Sequence, residues 1–146
     1  MIAAEYCSAL IARFLRAFSW YHGLDLFANI PFVTEEDAVG AFLPEPITRP
    51  DLFAYIESEL LDIEDQLPAP KTNEYGRVDQ AAVWMLLAHM YLKAEVYGVT
   101  PKYTEVITYT KKVIDAGYQL ADSYAEMFMA DNHTATGIIF AIPGLK

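Results

Sequence analysis

The chain has 146 residues, of which 54% are hydrophobic, 14% aromatic and only 21% charged, which excludes a disordered tail or a charged coiled coil and leaves ample apolar material for a core. Twenty acids against ten bases give a net charge of −10, which repels phosphate backbones, so nucleic acid is not an expected partner. The acid is concentrated, with eleven carboxylates and two bases between residues 35 and 74, and this stretch is expected to form a solvated helix face with acidic loops.

Leu10, Phe14, Ala17, Tyr21 and Leu24 recur at spacings of four and three and predict a first helix from about Ala3 to Phe27. Ile11, Leu15 and Phe18 widen its apolar face, so this helix is expected to be sandwiched at the centre of the fold. The single Cys7 has no partner in the chain and is expected to be a core thiol. No basic leader with a following apolar run and no lipobox precede it, and no stretch of about 18 uncharged apolar residues spans a bilayer.

Pro31, Gly40, Pro44 and Pro46 mark an ordered surface loop up to Ile47. Thr48 is the expected N-cap of a second helix, with Pro50 in its first turn and the stripe Phe53, Ile56, Leu60, Ile63 and Leu67 running to Pro68. Asp79 is the expected N-cap of a third helix, whose Trp84, Leu87, Tyr91 and Ala94 share a face. Thr100 and Pro101 predict the start of a fourth, striped by Tyr103, Val106, Thr110 and Val113 beside Ile107 and Ile114 and closed by Gly117. A short turn at Tyr124 to Phe128 and a β-prone run from Ile138 to Ile142 complete the pattern. That run wants cover on both faces and a partner strand that four helices do not supply, so it is expected to be exposed, frayed or paired with another copy.

Catalytic patterns are absent from the sequence. His22, His89 and His133 fall in no metal-ligand spacing, and no phosphate loop, nucleophile elbow or Cys–His pairing is readable. Neither a cofactor, a metal nor an enzymatic activity is expected. Trp20 and Trp84 lie within helical patterns and are assigned to the core, whereas Tyr75 and Tyr97, at helix edges, are candidates for exposure. The densest cluster of short polar side chains is Asp131, Asn132, His133 and Thr134. Asp131, Asn132 and His133 are the candidate ligand-binding residues, because such side chains can hydrogen-bond sugar hydroxyls; a capped turn is the plainer reading.

Helices three and four, with Trp84, Leu87, Ala88 and Tyr91 opposite Tyr103, Val106, Tyr109 and Val113, resemble a tetratricopeptide helix pair. More specifically, four ordered blocks resemble the SusD/RagB family of outer-membrane nutrient-capture lipoproteins. These are Ala12-Arg13-Phe14-Leu15-Arg16-Ala17 with Asp25-Leu26-Phe27-Ala28-Asn29-Ile30-Pro31-Phe32-Val33; Tyr75-Gly76-Arg77 before Leu86-Leu87-Ala88; Lys112-Val113-Ile114-Asp115-Ala116-Gly117-Tyr118; and Tyr124-Ala125-Glu126-Met127-Phe128 before Ile138-Ile139-Phe140-Ala141-Ile142. His89 departs from the arginine common at that place.

The resemblance implies a mainly α fold of tetratricopeptide-like helix pairs, about four main helices with a short C-terminal extended segment. Residues 1–146 are then a single helical scaffold domain, a piece of a longer SusD-like protein. It also implies non-enzymatic capture of glycans or similar nutrients at the outer-membrane surface by a lipoprotein that delivers an oligosaccharide to a TonB-dependent, SusC-like transporter. The alternative is a free-standing tetratricopeptide-like scaffold for protein–protein interaction.

Overall fold

The computed structural model describes residues 2–37, 40 and 42–142, with side chains from residue 8 onward; the side chain of Cys7 lies outside the described ones. Four α-helices dominate: α1 (Ile2–Phe27), α2 (Arg49–Ile63), α3 (Gln80–Leu92) and α4 (Tyr103–Asp115). The α1 stripe is buried as its spacing predicts, from Leu10 through Phe14, Ala17 and Tyr21 to Leu24. The helix stops at Phe27, with Ala28 in the left-handed region at φ 70°. Beyond it β1 (Ile30–Pro31) pairs antiparallel with β2 (Pro46–Ile47), which closes the intervening loop at its base.

Thr48 caps α2 as expected, its side chain accepting the Asp51 N–H, with proline in the first turn. The helix ends at Ile63 and a 3-10 turn, Glu64–Gln66, continues it toward Pro68. Asp79 caps α3 by accepting the Ala82 N–H at 3.2 Å. The expected cap of α4 is corrected: the helix begins at Tyr103 with Lys102 at its uncapped N-terminus, and Thr100 and Pro101 stay outside. Lys102 is drawn instead to Glu57 at 2.8 Å and lies over the Tyr91 ring.

The helices form two antiparallel pairs. Arg13 and Arg16 of α1 reach Glu59 of α2 while Trp20, one turn on, meets Tyr55 through Phe32. Lys102 meets the end of α3 at Tyr91, and Lys112 lies over Trp84 near its start. The central helix is α3 rather than α1. Thirteen residues without an Asp, Glu, Lys or Arg bury eight side chains around its circumference, the expected fate of a helix apolar all round. By contrast Leu15, Leu26 and Phe27 of α1 are exposed, and so are Ile107 and Ile114 of α4. Trp20 and Trp84, assigned to the core, are both half-buried, Trp20 packed against its margin and Trp84 held by Glu64 and Lys112.

The acidic stretch is corrected in part. Asp65 is solvated, but Glu57, Glu59 and Glu64 are tethers between helices, and Asp62, though exposed, accepts from Arg13 at 2.6 Å. Glu59, with 15% of its side chain exposed, accepts from Arg13 at 2.9 and 3.1 Å and from Arg16 at 2.7 Å. The Arg13 hydrogen bond holds the Glu59 carboxyl below its ordinary 4.5, against the opposing effect of burial. A depressed carboxyl stabilises the fold above its unfolded pKa, and that stabilisation disappears as the pH falls through the folded value. Urea unfolding midpoints measured from pH 7 to 3 are therefore expected to fall more steeply below about pH 4.5 in the parent than in Glu59→Gln; parallel curves would refute this role for the pair.

The terminal run is also corrected. Ile138–Ile142 forms no strand, and only Ile142 is exposed as expected, at 71%: residues 138–141 are half-buried and Phe140 sits edge-on to Phe14 and Phe18, with ring centroids 5.4 and 6.0 Å away. The groove between α1 and α3 supplies cover that the run was expected to lack.

Candidate functional site

The loop from Lys71 to Asp79 is organised by one buried carboxylate. Besides capping α3, Asp79 accepts the Lys71 N–H at 2.9 Å and the Tyr118 hydroxyl at 3.2 Å. Lys71, a non-glycine residue at φ 62°, is thereby held in a conformation that β-carbon crowding disfavours. Its ammonium donates to the Gly117 carbonyl and lies 4.6 Å from the Tyr118 ring centre. Burial, followed by the charge and hydrogen bond of Asp79, pushes the Tyr118 phenol up to about 12. Asn73 donates to the Val78 carbonyl at 2.8 Å and accepts the Glu74 N–H at 3.0 Å, which tightens the turn.

This loop, Tyr118 and residues 136–141 enclose a cleft of about 320 Å³. Tyr75 stands at its rim with 51% of its surface exposed. Arg77 and Glu74 flank it as a loose pair at 3.7 Å, both solvated, so their hydrogen-bonding groups are accessible. An exposed ring beside a guanidinium and a carboxylate can stack on the apolar face of a sugar and bond its hydroxyls. Asp79 already accepts three hydrogen bonds, and Glu74 is open to water.

The predicted ligand residues fall beside this cleft and serve different ends. Asn132–Thr134 is a 3-10 turn. Asp131 is exposed, and its carbonyl accepts both the N–H and the hydroxyl of Thr134. Asn132 is half-buried and donates its amide to the Met127 carbonyl at 3.2 Å, a structural use. His133 alone reaches the cleft rim, its ring edge-on to Tyr75 at 6.1 Å. Of the two tyrosines expected at helix edges, Tyr97 is only 2% exposed and donates its hydroxyl to Asp25 at 2.7 Å. Arg77 and Tyr118 enter the sequence reading only within the blocks of family resemblance, not as ligand candidates, and Lys71 only as one of the two bases of the acidic stretch; a polar loop with one aromatic, Asn73-Glu74-Tyr75-Gly76-Arg77, is the signal the sequence offers.

Among the described residues no group of three or more His, Cys, Asp or Glu is placed to hold a metal ion, and no helix is long and apolar enough to cross a membrane. Two antiparallel helix pairs around a charge-free central helix define a tetratricopeptide-like scaffold. No protein-family model matches the chain. It is 40% identical over 120 residues to the starch-binding protein SusD of Bacteroides thetaiotaomicron, a match that covers 82% of the chain and 21% of that protein. In three dimensions it is similar to surface glycan-binding protein A from Bacteroides uniformis, with a TM-score of 0.71, 26% identity, and 90% of the chain and 29% of that protein covered. A SusD-like protein from Bacteroides fragilis shares the fold, with a TM-score of 0.72, 20% identity, and 94% and 27% covered. The chain belongs to the SusD-like family. It spans about a fifth of the length of the curated relative it matches.

Proposed function

We propose that the chain is the helical scaffold of a non-enzymatic glycan-capture protein at the outer-membrane surface, which delivers its ligand to a TonB-dependent transporter. The observation that carries this reading is the 40% identity to a starch-binding protein over a stretch covering most of the chain. The cleft at Tyr75 supports a sugar contact within the chain itself, with His133 at its rim. One exposed ring and a few hydrogen bonds, each netting about 1 kcal/mol, amount to a dissociation constant of about a millimolar.

Titration of the labelled protein with maltoheptaose, followed by amide chemical shifts, is expected to move Asn73, Tyr75 and Arg77 with a midpoint in that range. Tyr75→Ala should abolish the shifts and His133→Ala weaken them, while Asn132→Ala leaves the affinity within about twofold. Release of new reducing ends, or shifts confined to other faces, would count against the reading. A second reading, a free-standing scaffold for a protein partner, is favoured by the exposed Tyr103, Ile107 and Ile114 along α4. A transporter gene beside the coding sequence supports capture; its absence supports the scaffold.

A further inference from the structure

Residues Ile138 and Ile139 line two cavities at once. One is the polar cleft at Tyr75. The other, of about 510 Å³, is an apolar groove lined by Phe14, Phe18, Met85, Leu86 and Phe140, among others. The segment between them is a shared wall. Among the described residues, no hydrogen bond joins positions 136–142 to the body of the protein, either from backbone or from side chain. What fixes the wall is side-chain packing, and its ring contacts are those of Phe140 with Phe14 and Phe18. A wall seated by a few apolar contacts can open locally at far less cost than the helices behind it.

From this arrangement we infer that Phe140 is a positioning residue for the Tyr75 cleft: by docking on α1 it seats Ile138 and Ile139 as the far wall against which a sugar is held. The inference rests on the sugar reading of that cleft. Ligand affinity and the seating of the segment are then linked, because a ligand that contacts the wall favours the docked state and an undocked wall costs affinity. Phe140 touches no ligand and acts only through its neighbours.

The test is the maltoheptaose titration repeated on Phe140→Ala and Phe140→Leu, with backbone hydrogen exchange of residues 136–142 measured on each. In the parent the amides of Ile138 and Ile139 should shift with the same midpoint as Tyr75, and saturating sugar should slow exchange across the segment. Phe140→Ala should weaken binding by about tenfold or more and accelerate exchange of the segment, with exchange of α2 and α3 unchanged. Phe140→Leu, which can still fill the groove, should restore binding to within about threefold. Phe128→Ala, at an exposed ring, serves as the control expected to change nothing. Binding by the parent that survives Phe140→Ala undiminished overturns the inference and leaves the sugar reading standing. No shift at Tyr75 in the parent overturns the sugar reading, and the inference with it.

Discussion

Replacing Glu64 by alanine is expected to lower the unfolding free energy by about 3 kcal/mol, equivalent to a fall of about 6–12 °C in the melting temperature. This carboxylate, with 10% of its side chain exposed, joins three elements at the end of α2. It accepts the Trp84 indole N–H at 2.8 Å and the Tyr109 hydroxyl at 3.1 Å, and it pairs with the Lys112 ammonium. That ammonium in turn lies over the Tyr109 and Trp84 rings. Alanine leaves an indole donor and a phenol in a half-buried site without their acceptor, at about 1–3 kcal/mol for each buried group. The loss of the ion pair adds less than a fully buried pair would, because Lys112 is 41% exposed. Glutamine keeps the shape and one acceptor, so Glu64→Gln should cost about half as much, and Asp65→Ala next to it less than about 0.5 kcal/mol. Urea unfolding read by tryptophan fluorescence and by far-ultraviolet circular dichroism measures all three. A Glu64→Ala loss below about 1 kcal/mol would return this residue to the solvated face on which its sequence neighbours place it.

That neighbourhood explains what could be read in the chain before its fold. Periodicities and caps are local, so the α1 stripe from Leu10 to Leu24, the Thr48 and Asp79 caps, and the left-handed Gly117 were legible within a few residues of themselves. Glu59 and Glu64 were not, because their partners lie 43 to 48 residues away for the arginines and Lys112, and an acid on a helix looks the same whether water or a guanidinium will meet it. Lys102 shows the same limit from the other side. Thr100-Pro101 is a good local start signal, but the pull of Glu57 on α2 and the Tyr91 face on α3 set where α4 begins.

The cleft was illegible for a related reason. Its walls come from residues 71–79, 118 and 136–141, three segments whose own patterns read as turns. His133 was found as a member of a polar cluster, but nothing local indicated that it would stand beside Tyr75 while Asn132 turned inward to Met127. Tyr97 failed as a candidate because the 3-10 turn Ala94–Tyr97 carries its ring inward and its hydroxyl to Asp25, itself paired with Lys93 at 2.8 Å. A polar tip on a large apolar side chain gives no sequence clue to which end will be buried.

Asp79 is where the fold and the cleft depend on one side chain, and Asp79→Ala is expected to damage both. Loss of the α3 cap costs about 1 kcal/mol. The Lys71 N–H and the Tyr118 hydroxyl then lose their acceptor, and together these effects should destabilise the protein by about 3 kcal/mol. Lys71 then loses the backbone hydrogen bond that holds its left-handed conformation and keeps only its ammonium contacts to Gly117 and the Tyr118 ring, so the loop carrying Tyr75 and Arg77 should relax and the maltoheptaose shifts should vanish with it. Asparagine preserves a capping oxygen and should be milder, at about 1 kcal/mol. An alkaline titration provides an independent check. A phenol raised to about 12 in the folded state contributes stability that is whole below its ordinary value of 10 and is lost between the two. With Asp79 gone, both its charge and its hydrogen bond are removed, and the Tyr118 midpoint should move back toward 10. Ultraviolet difference titration of each protein against its Tyr118→Phe counterpart isolates that one phenolate among the ten tyrosines of the chain. A midpoint that stays near 12 in Asp79→Ala, together with undiminished stability, would show that burial alone holds Tyr118 and that the cleft is organised by packing rather than by this carboxylate.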